Sequence, residues 1–385
     1  MRYANSEHHA NLLMTEKSNY IIRMKSMFVK APIFLVVAVP FTGVVHGYNC
    51  LIIGGTRFSG ASLWKELHSR GHDVTLYNRG KTAPQPVAGH ESDAEFESRV
   101  KSAKYLKGDR KDPVALKSLI DPGKYDYVFD MNAREESDTR PLAELFVGSN
   151  LQQYVFMSSA GVYLQSEEMP HLETDPTDPK SRHKGKLDSE ECLAKLGLPW
   201  CSFRPTYICG PGNYNPLEQY FFERIDAGRT ICIPGNGKHL TGFGHVEDLA
   251  VAMANVIGRT QTTTGKCYNI QNTQAITFDG VVETAAMVMR KDVVGTLHYQ
   301  PKDVRLPEGK KGFPMRPQHF FTGIHRAMID LEWTPKYDTV EAILRDSYKN
   351  DFLHVKEKGG LKGNFEADDF IIEKIRGAVE AFLKT

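Results

Sequence analysis

Cys50-Leu51-Ile52-Ile53-Gly54-Gly55-Thr56-Arg57-Phe58-Ser59-Gly60 decides the fold. Four apolar residues run into a glycine turn, and the residues after the turn read as a helix reaching His68. A short buried strand, a glycine turn and a helix, in that order, form a phosphate-binding unit in which backbone N–H groups and the helix N-terminus face an anion. Gly54 permits the tight turn and Gly60 the close packing of helix on strand. Between them, where bare backbone would approach a pyrophosphate, stands Arg57, whose guanidinium can pair with phosphate from the side. Gly54, Gly55, Thr56, Arg57, Phe58 and Gly60 are therefore candidate dinucleotide-binding residues.

Working outward, apolar runs at 72–77, 105–109, 125–130, 153–157 and 200–203 read as further strands, separated by helical segments. This alternation predicts an α/β fold, a Rossmann-like doubly wound parallel sheet covered on both faces. Residues 84–97 read as a surface loop. From about Tyr214 the text turns irregular, with Pro216, Pro234-Gly235-Asn236-Gly237, Pro301, Pro307 and Pro314, as in a smaller lobe over the sheet's carboxyl edge. The expected organisation is a presequence over 1–47, a nucleotide-binding domain over 48–215 completed by 243–274, a smaller C-terminal lobe from 216–242 and 275–350, and a tail over 351–385.

The end of the second strand selects the form of any nicotinamide dinucleotide. A carboxylate there would bond the ribose hydroxyls of NAD. Tyr77-Asn78-Arg79-Gly80 offers an amide and a guanidinium instead, which suit a 2′-phosphate and favour NADP. Asp109, in Gly108-Asp109-Arg110, is placed to accept from an adenine amine and is equally at home as a turn residue.

Three later stretches resemble the extended short-chain dehydrogenases: Ser158-Ser159-Ala160-Gly161-Val162-Tyr163, with Ser159 in the catalytic serine's place; Arg204-Pro205-Thr206-Tyr207-Ile208-Cys209-Gly210-Pro211; and Gly244-His245-Val246-Glu247-Asp248-Leu249-Ala250. That family's catalytic Tyr-x-x-x-Lys falls on Ser181-Arg182-His183-Lys184-Gly185-Lys186. Lys186 is present, a candidate for both catalysis and cofactor binding, but the tyrosine position is Arg182. A guanidinium stays protonated and cannot deliver a proton to a carbonyl. A helix through 182–186 would stack two cations at i, i+4. With His183 and Lys184 beside them, such a cluster asks for an anion, either a cofactor phosphate or an RNA backbone. Ser159, Arg182, His183 and Lys186 form the candidate catalytic set, and reductive chemistry would need Tyr163 or Tyr207 as substitute acid.

The net charge is +1, and five Lys/Arg against two Asp/Glu fall in the first 47 residues, so the remainder carries −2. Bulk charge does not grip nucleic acid here, and any such contact is a local patch. Cys50, Cys192, Cys201, Cys209, Cys232 and Cys267 are scattered without metal-binding spacing and read as reduced thiols. At the N-terminus Arg23, Lys25 and Lys30 precede an apolar run over 31–45, and Val45-His46-Gly47 offers a cleavage site, the order of a signal peptide over 24–47. Met24 or Met27 is an alternative start, and no stable membrane anchor is expected after cleavage.

The glycine turn together with Asp178-Pro179-Lys180-Ser181-Arg182-His183-Lys184-Gly185-Lys186-Leu187 resembles the plastid stem-loop-binding proteins of 41 kDa, atypical members of the short-chain dehydrogenase superfamily. Asn213-Tyr214-Asn215-Pro216, Tyr268-Asn269-Ile270, Gln318-His319-Phe320-Phe321 and Asn364-Phe365-Glu366-Ala367-Asp368-Asp369 extend the likeness over about 50–375. The resemblance implies a plastid (chloroplast) location; the leader departs from a Ser- and Arg-rich transit peptide and is of the secretory kind that serves plastids entered through the endoplasmic reticulum, as in algae with secondary plastids. The resemblance also implies binding of stem-loop RNA, endoribonuclease cleavage aided by a divalent ion such as Mg²⁺, and association with ribosomes or transcription assemblies. The fold commonly dimerises, so an oligomer is compatible. Arg182, Lys184 and Lys186 would stabilise phosphate charge, His183 or His245 would move protons, and Asp248, Asp368 or Asp369 would hold a metal through oxygen. His319-Phe320-Phe321, near Lys310, Lys311 and Arg316, interleaves basic and aromatic residues as base-stacking surfaces do. Two rival readings stand beside this one: an NADP-dependent nucleotide-sugar epimerase or reductase using Ser159 and Lys186, and a non-catalytic NADP-sensing scaffold.

Overall fold

Strand β1 (Asn49–Ile53) alternates its side chains across a sheet: Ile52 packs with Leu63 and Trp64 on one face, Leu51 and Ile53 with Val128 and Phe156 on the other. The computed structural model describes residues 47–383 apart from 311 and 362, so the leader reading at 1–46 and Lys311 lie outside the described residues. β2 (Asp73–Asn78), β3 (Lys104–Lys107), β4 (Tyr127–Asp130), β5 (Gln153–Met157) and β6 (Trp200–Pro205) lie where the apolar runs predicted them. Short strands come next: β7 (Tyr207–Cys209), β8 (Ile231–Pro234), β9 (Leu240–Thr241) and β10 (Phe243–His245). They are succeeded by β11 (Lys266–Ile270), β12 (Ile276–Thr277) and β13 (Thr296–Tyr299).

The main sheet is parallel throughout, in the order β11-β6-β5-β4-β1-β2-β3. Every residue of β4 and β5 is buried, as a sheet covered on both faces requires. The chain builds outward from β1 to β3, then returns to lay β4 on the other side of β1. Ligands of such sheets sit in the crevice beyond the carboxyl ends of the strands at that reversal. Here β1 runs into Gly54 and β4 runs toward Asn132, so the turn read first in the sequence lies at the reversal.

A second core, with Phe221, Phe222, Phe243, Phe278, Ile343 and Phe352, lies beside the sheet. Asp248 accepts from the backbone N–H groups of Lys336 and Tyr337 at 2.7 and 2.9 Å, and its carbonyl accepts from Trp333 Nε1 at 3.0 Å. Buried Asp368 pairs with Arg224 at 2.6 Å and fastens the helix Glu366–Leu383.

The surface-loop reading of 84–97 is corrected in its second half. A helix spans Asp93–Ser102, opened by a capping box in which Ser92 Oγ accepts from the Glu95 N–H and Glu95 accepts from the Ser92 N–H. Buried Arg99 on this helix pairs with Glu91 and lies 4.0 Å over the Trp64 ring. Among the described residues no helix is long and apolar enough to cross a membrane.

Candidate functional site

The glycine turn is built as its residues dictate. Gly54 takes φ +89°, and a Cβ there would lie 2.8 Å from Asn132 Nδ2; a Cβ on Gly60 would lie 2.3 Å from the Gly54 carbonyl oxygen. The helix Phe58–Ser69 starts with no side-chain cap, and the Gly60 and Ala61 N–H groups donate to the Arg57 carbonyl at 3.1 and 3.3 Å. Arg57 is exposed, and its guanidinium lies 4.7 Å over the ring of Tyr214. Arg79 is exposed at the end of β2, and Asn78 Oδ1 accepts from the Gly80 N–H at 2.8 Å. Asp109 is exposed and accepts from the Lys111 N–H at 3.1 Å, so its carboxylate serves its own turn.

Beneath the turn lies an ionic network that sequence spacing did not reveal. Arg110 holds buried Asp130 with two bonds of 2.6 and 2.8 Å and donates to Asn132 Oδ1 at 2.6 Å. Tyr154 donates its O–H to Asp130 at 2.9 Å. Burial opposes ionisation of Asp130, but Arg110 and Tyr154 hold its carboxyl below the usual range. The available cue was the acid that closes the fourth apolar run.

The expectation that Arg182 and Lys186 share one helical face is corrected. The helix Lys184–Lys195 begins after Arg182, and the two side chains go different ways. Lys186 Nζ donates to the carbonyls of Ala133 (2.6 Å) and Met157 (2.5 Å), at the carboxyl ends of β4 and β5. Burial pushes its ammonium down to about 8, and Arg110 and Arg134 add to this against the pull of Asp130. Arg182 is exposed, and its Nε donates to His183 Nε2 at 3.1 Å. Gly185 explains the glycine in the string: a Cβ there would lie 2.3 Å from the Arg134 carbonyl oxygen.

The partner of Arg182 is Arg316, far away in the sequence. Arg316 Nη2 donates to the Gly161 carbonyl at 2.9 Å, and its guanidinium lies 4.8 Å over Phe320. A Cβ on Gly161 would lie 2.8 Å from His183 Nε2 and 2.9 Å from Arg316 Nη2, so both groups close over the segment just after Ser159. Ser159 Oγ accepts from the Gly161 N–H at 3.1 Å. Burial, then Arg182 and Arg316, push His183 down to about 4, which leaves it neutral near pH 7 and a weak base. Burial, with Arg182, also lowers Arg316. Among the described residues neither arginine has a carboxylate within ion-pair range, whereas Lys184 turns away to Asp188.

Of the two substitute acids only Tyr163 has its proton engaged. Tyr163 is buried and donates to Asn269 at 2.7 Å; Tyr207 accepts from the Arg316 N–H at 2.9 Å. Burial raises both phenols. The basic-aromatic surface is only partly formed, because Phe320 is buried and Lys310 pairs with Glu366.

The proposed metal ligands do not meet. Asp248 is spent on backbone N–H groups, Asp368 on Arg224 and Asp369 on Arg229. The described residues that do come close enough to share an ion are His90, His245 and Asp346. His245 caps a helix through Nδ1, which accepts from the Glu247 N–H at 3.2 Å, so its proton sits on Nε2. That Nε2 faces Asp346 Oδ2 at 3.0 Å, as does His90 Nε2, while Asn350 donates to Oδ1 at 2.9 Å. The cluster is a hydrogen-bonded clamp. Two nitrogens and one carboxylate do not offer the oxygen octahedron of Mg²⁺.

A parallel sheet with a glycine turn at its reversal, and a buried lysine reaching the ends of two strands, define a class. The chain belongs to the NAD dependent epimerase/dehydratase family, whose family model matches residues 50–270. It is 42% identical over 326 residues to the chloroplast stem-loop binding protein of 41 kDa b of Arabidopsis thaliana, covering 84% of each chain. That likeness makes it a member of the 41 kDa stem-loop-binding-protein branch. Solved structures share the fold at low identity. The UDP-glucose 4-epimerase of Thermotoga maritima matches with TM-score 0.64 and 18% identity, over 80% of this chain and 99% of that one. The dTDP-glucose 4,6-dehydratase of Bacillus anthracis, solved with NAD, matches with TM-score 0.64 and 17% identity, over 80% and 98%.

Proposed function

We propose that this protein is a plastid RNA-binding protein that holds the phosphate backbone of stem-loop RNA on the face where its fold carries an acid in redox enzymes. The observation that carries the reading is the pair Arg182 and Arg316, two guanidiniums without carboxylate partners among the described residues, on either side of a neutral His183. A phosphodiester satisfies both through charge-assisted hydrogen bonds, and the neutral imidazole adds no charge that pH would remove. The chloroplast relative supports the plastid location. Entry through the endoplasmic reticulum rests on the leader motif alone, and plastid ribosomes or transcription assemblies are proposed as partners on the resemblance. The reading is one of binding without a cleavage step, because His183, lowered to about 4, is a weak base and the expected Mg²⁺ ligands are engaged elsewhere.

The test mixes purified protein with a labelled stem-loop RNA, with and without Mg²⁺, and tracks binding and cleavage by gel. Expected is salt-sensitive binding that falls about tenfold or more in an Arg182→Ala/Arg316→Ala variant. Absence of binding at moderate salt would sink the reading.

A second reading has its own observation, the glycine turn at the sheet's reversal. The tight turn at Gly54, the close packing at Gly60 and the uncapped helix start leave room for the phosphates of a nicotinamide dinucleotide, and Arg57, Asn78, Arg79 and Lys186 would hold it. Such a group supplies hydride exchange when bound. The chain's own contribution stops short of that reaction, because no acid stands at position 182, Tyr163 donates its proton to Asn269, and burial holds the Tyr207 phenol above its ordinary range. A dinucleotide here is therefore a structural or regulatory ligand, with NADP preferred through Arg79. Calorimetric titration should find NADP tighter than NAD and the preference gone in Arg79→Ala; equal affinities would remove the NADP assignment.

A further inference from the structure

Beside the glycine turn, the loop after β7 carries an aromatic ring into solvent: Tyr214 is 64% exposed. The loop is fastened from behind. Asn213 Nδ2 donates to the Ile208 carbonyl at 3.1 Å, the Gly212 N–H to Asp351 at 3.1 Å, and the Asn215 N–H to Asn213 at 3.0 Å. The ring is thus presented at a set place. The Arg57 guanidinium lies 4.7 Å over it, and Phe58 meets it edge-on at 6.4 Å. Among the described residues Arg57 has no carboxylate within ion-pair range, so its charge is uncompensated. Phe58 opens its helix at φ +43°, a left-handed backbone that a bulky residue adopts only against steric cost. Strain of this kind concentrates at ligand sites.

An exposed aromatic face with an unpaired guanidinium beside it matches the chemistry of an unpaired nucleotide: the base stacks on the ring, and its phosphate meets the cation. Bases within a duplex are already stacked on their neighbours, so the occupant is a base from a single-stranded loop. We propose that Tyr214, with Arg57 and Phe58, forms a stacking seat for one unpaired nucleobase of bound RNA. The proposal rests on the RNA-binding reading above and adds a second contact, for a loop base, to the one that Arg182 and Arg316 make with backbone phosphate.

The experiment uses the full protein and a stem-loop RNA carrying 2-aminopurine at each loop position in turn. Binding should quench the probe at one loop position and at none in the stem. Tyr214→Ala and Tyr214→Leu should lose that quenching and bind about tenfold more weakly, and Tyr214→Phe should keep both. Wild-type quenching and affinity in the Ala and Leu variants would overturn the seat and leave the RNA reading intact. Failure of the unmodified protein to bind any stem-loop would overturn both.

Discussion

Buried arginines and cleft arginines obey opposite rules in this molecule. Arg99, Arg110, Arg204 and Arg224 are buried, and each faces a carboxylate: Glu91, Asp130, Glu190 and Asp368. Arg57, Arg182 and Arg316 border the crevice and face none among the described residues, although Arg316 is half-buried. A guanidinium inside the protein, which cannot shed its proton, must be paired, because desolvation costs several kcal/mol per ion. At the rim, water carries part of that burden and an incoming anion can carry it better. The unpaired arginines therefore mark where a ligand is to be sought, and the paired ones mark what holds the fold.

The largest expected effect tests the paired set. Arg110→Ala leaves Asp130 charged and buried without its partner, and unfolding in urea should show a loss of about 3–5 kcal/mol. A loss under about 1 kcal/mol would break the contrast. Glu218 sharpens it from the other side, as a buried carboxyl with no cation: burial pushes it up to about 7 from 4.5. Its folded pKa lies above its unfolded one, so the stability it contributes is full below about pH 4.5 and is lost as pH rises through about 7. The change is roughly 3 kcal/mol. Glu218→Gln should flatten the unfolding free energy across that window, and an unchanged slope would mean that the carboxyl is not held neutral.

Smaller effects concern the unpaired set. Arg182→Ala/Arg316→Ala should leave stability within about 1 kcal/mol of wild type while RNA affinity falls about tenfold and the slope of log K against log salt shallows by about 1. Equal losses of stability and affinity would move these arginines into the structural class. The smallest effect is an expected flatness. His183 is held at about 4 in the free protein, so its imidazole NMR shifts without RNA should show no step between about pH 6 and 8, and a step near the ordinary histidine range would mean that the free imidazole is charged.

The sheet was legible where apolar runs are bounded by turn residues, as from β1 to β6. β11 was not, because Lys266 and Cys267 dilute its apolar signal, and Tyr268-Asn269-Ile270 stood out only as part of a resemblance. The helix Asp93–Ser102 was hidden by its charges, since it lies largely on the surface, yet its capping box was written in Ser92 and Glu95. Gly54 and Gly60 could be found because each acts through its own local backbone, and Lys186 stood out only through its place in a resembled motif. The direction of Lys186 could not, because a two-residue error in where the helix starts sends Arg182 elsewhere. Arg316 and the Arg110–Asp130 pair escaped for a different reason: their partners are far off in sequence, and only the folded chain brings them together.

The clamp at Asp346 sets an order of events during synthesis. His90 lies after β2 and His245 opens a helix in the middle of the chain, yet both wait on a carboxylate that leaves the ribosome about a hundred residues after His245. Until then the loop after the second strand is held only by earlier residues, with Lys65 Nζ on the His90 carbonyl at 3.3 Å and Arg99 on the Gln85 carbonyl at 3.4 Å. A truncated product lacking Asp346 would keep the glycine turn and these bonds and lose the two histidine contacts of the clamp.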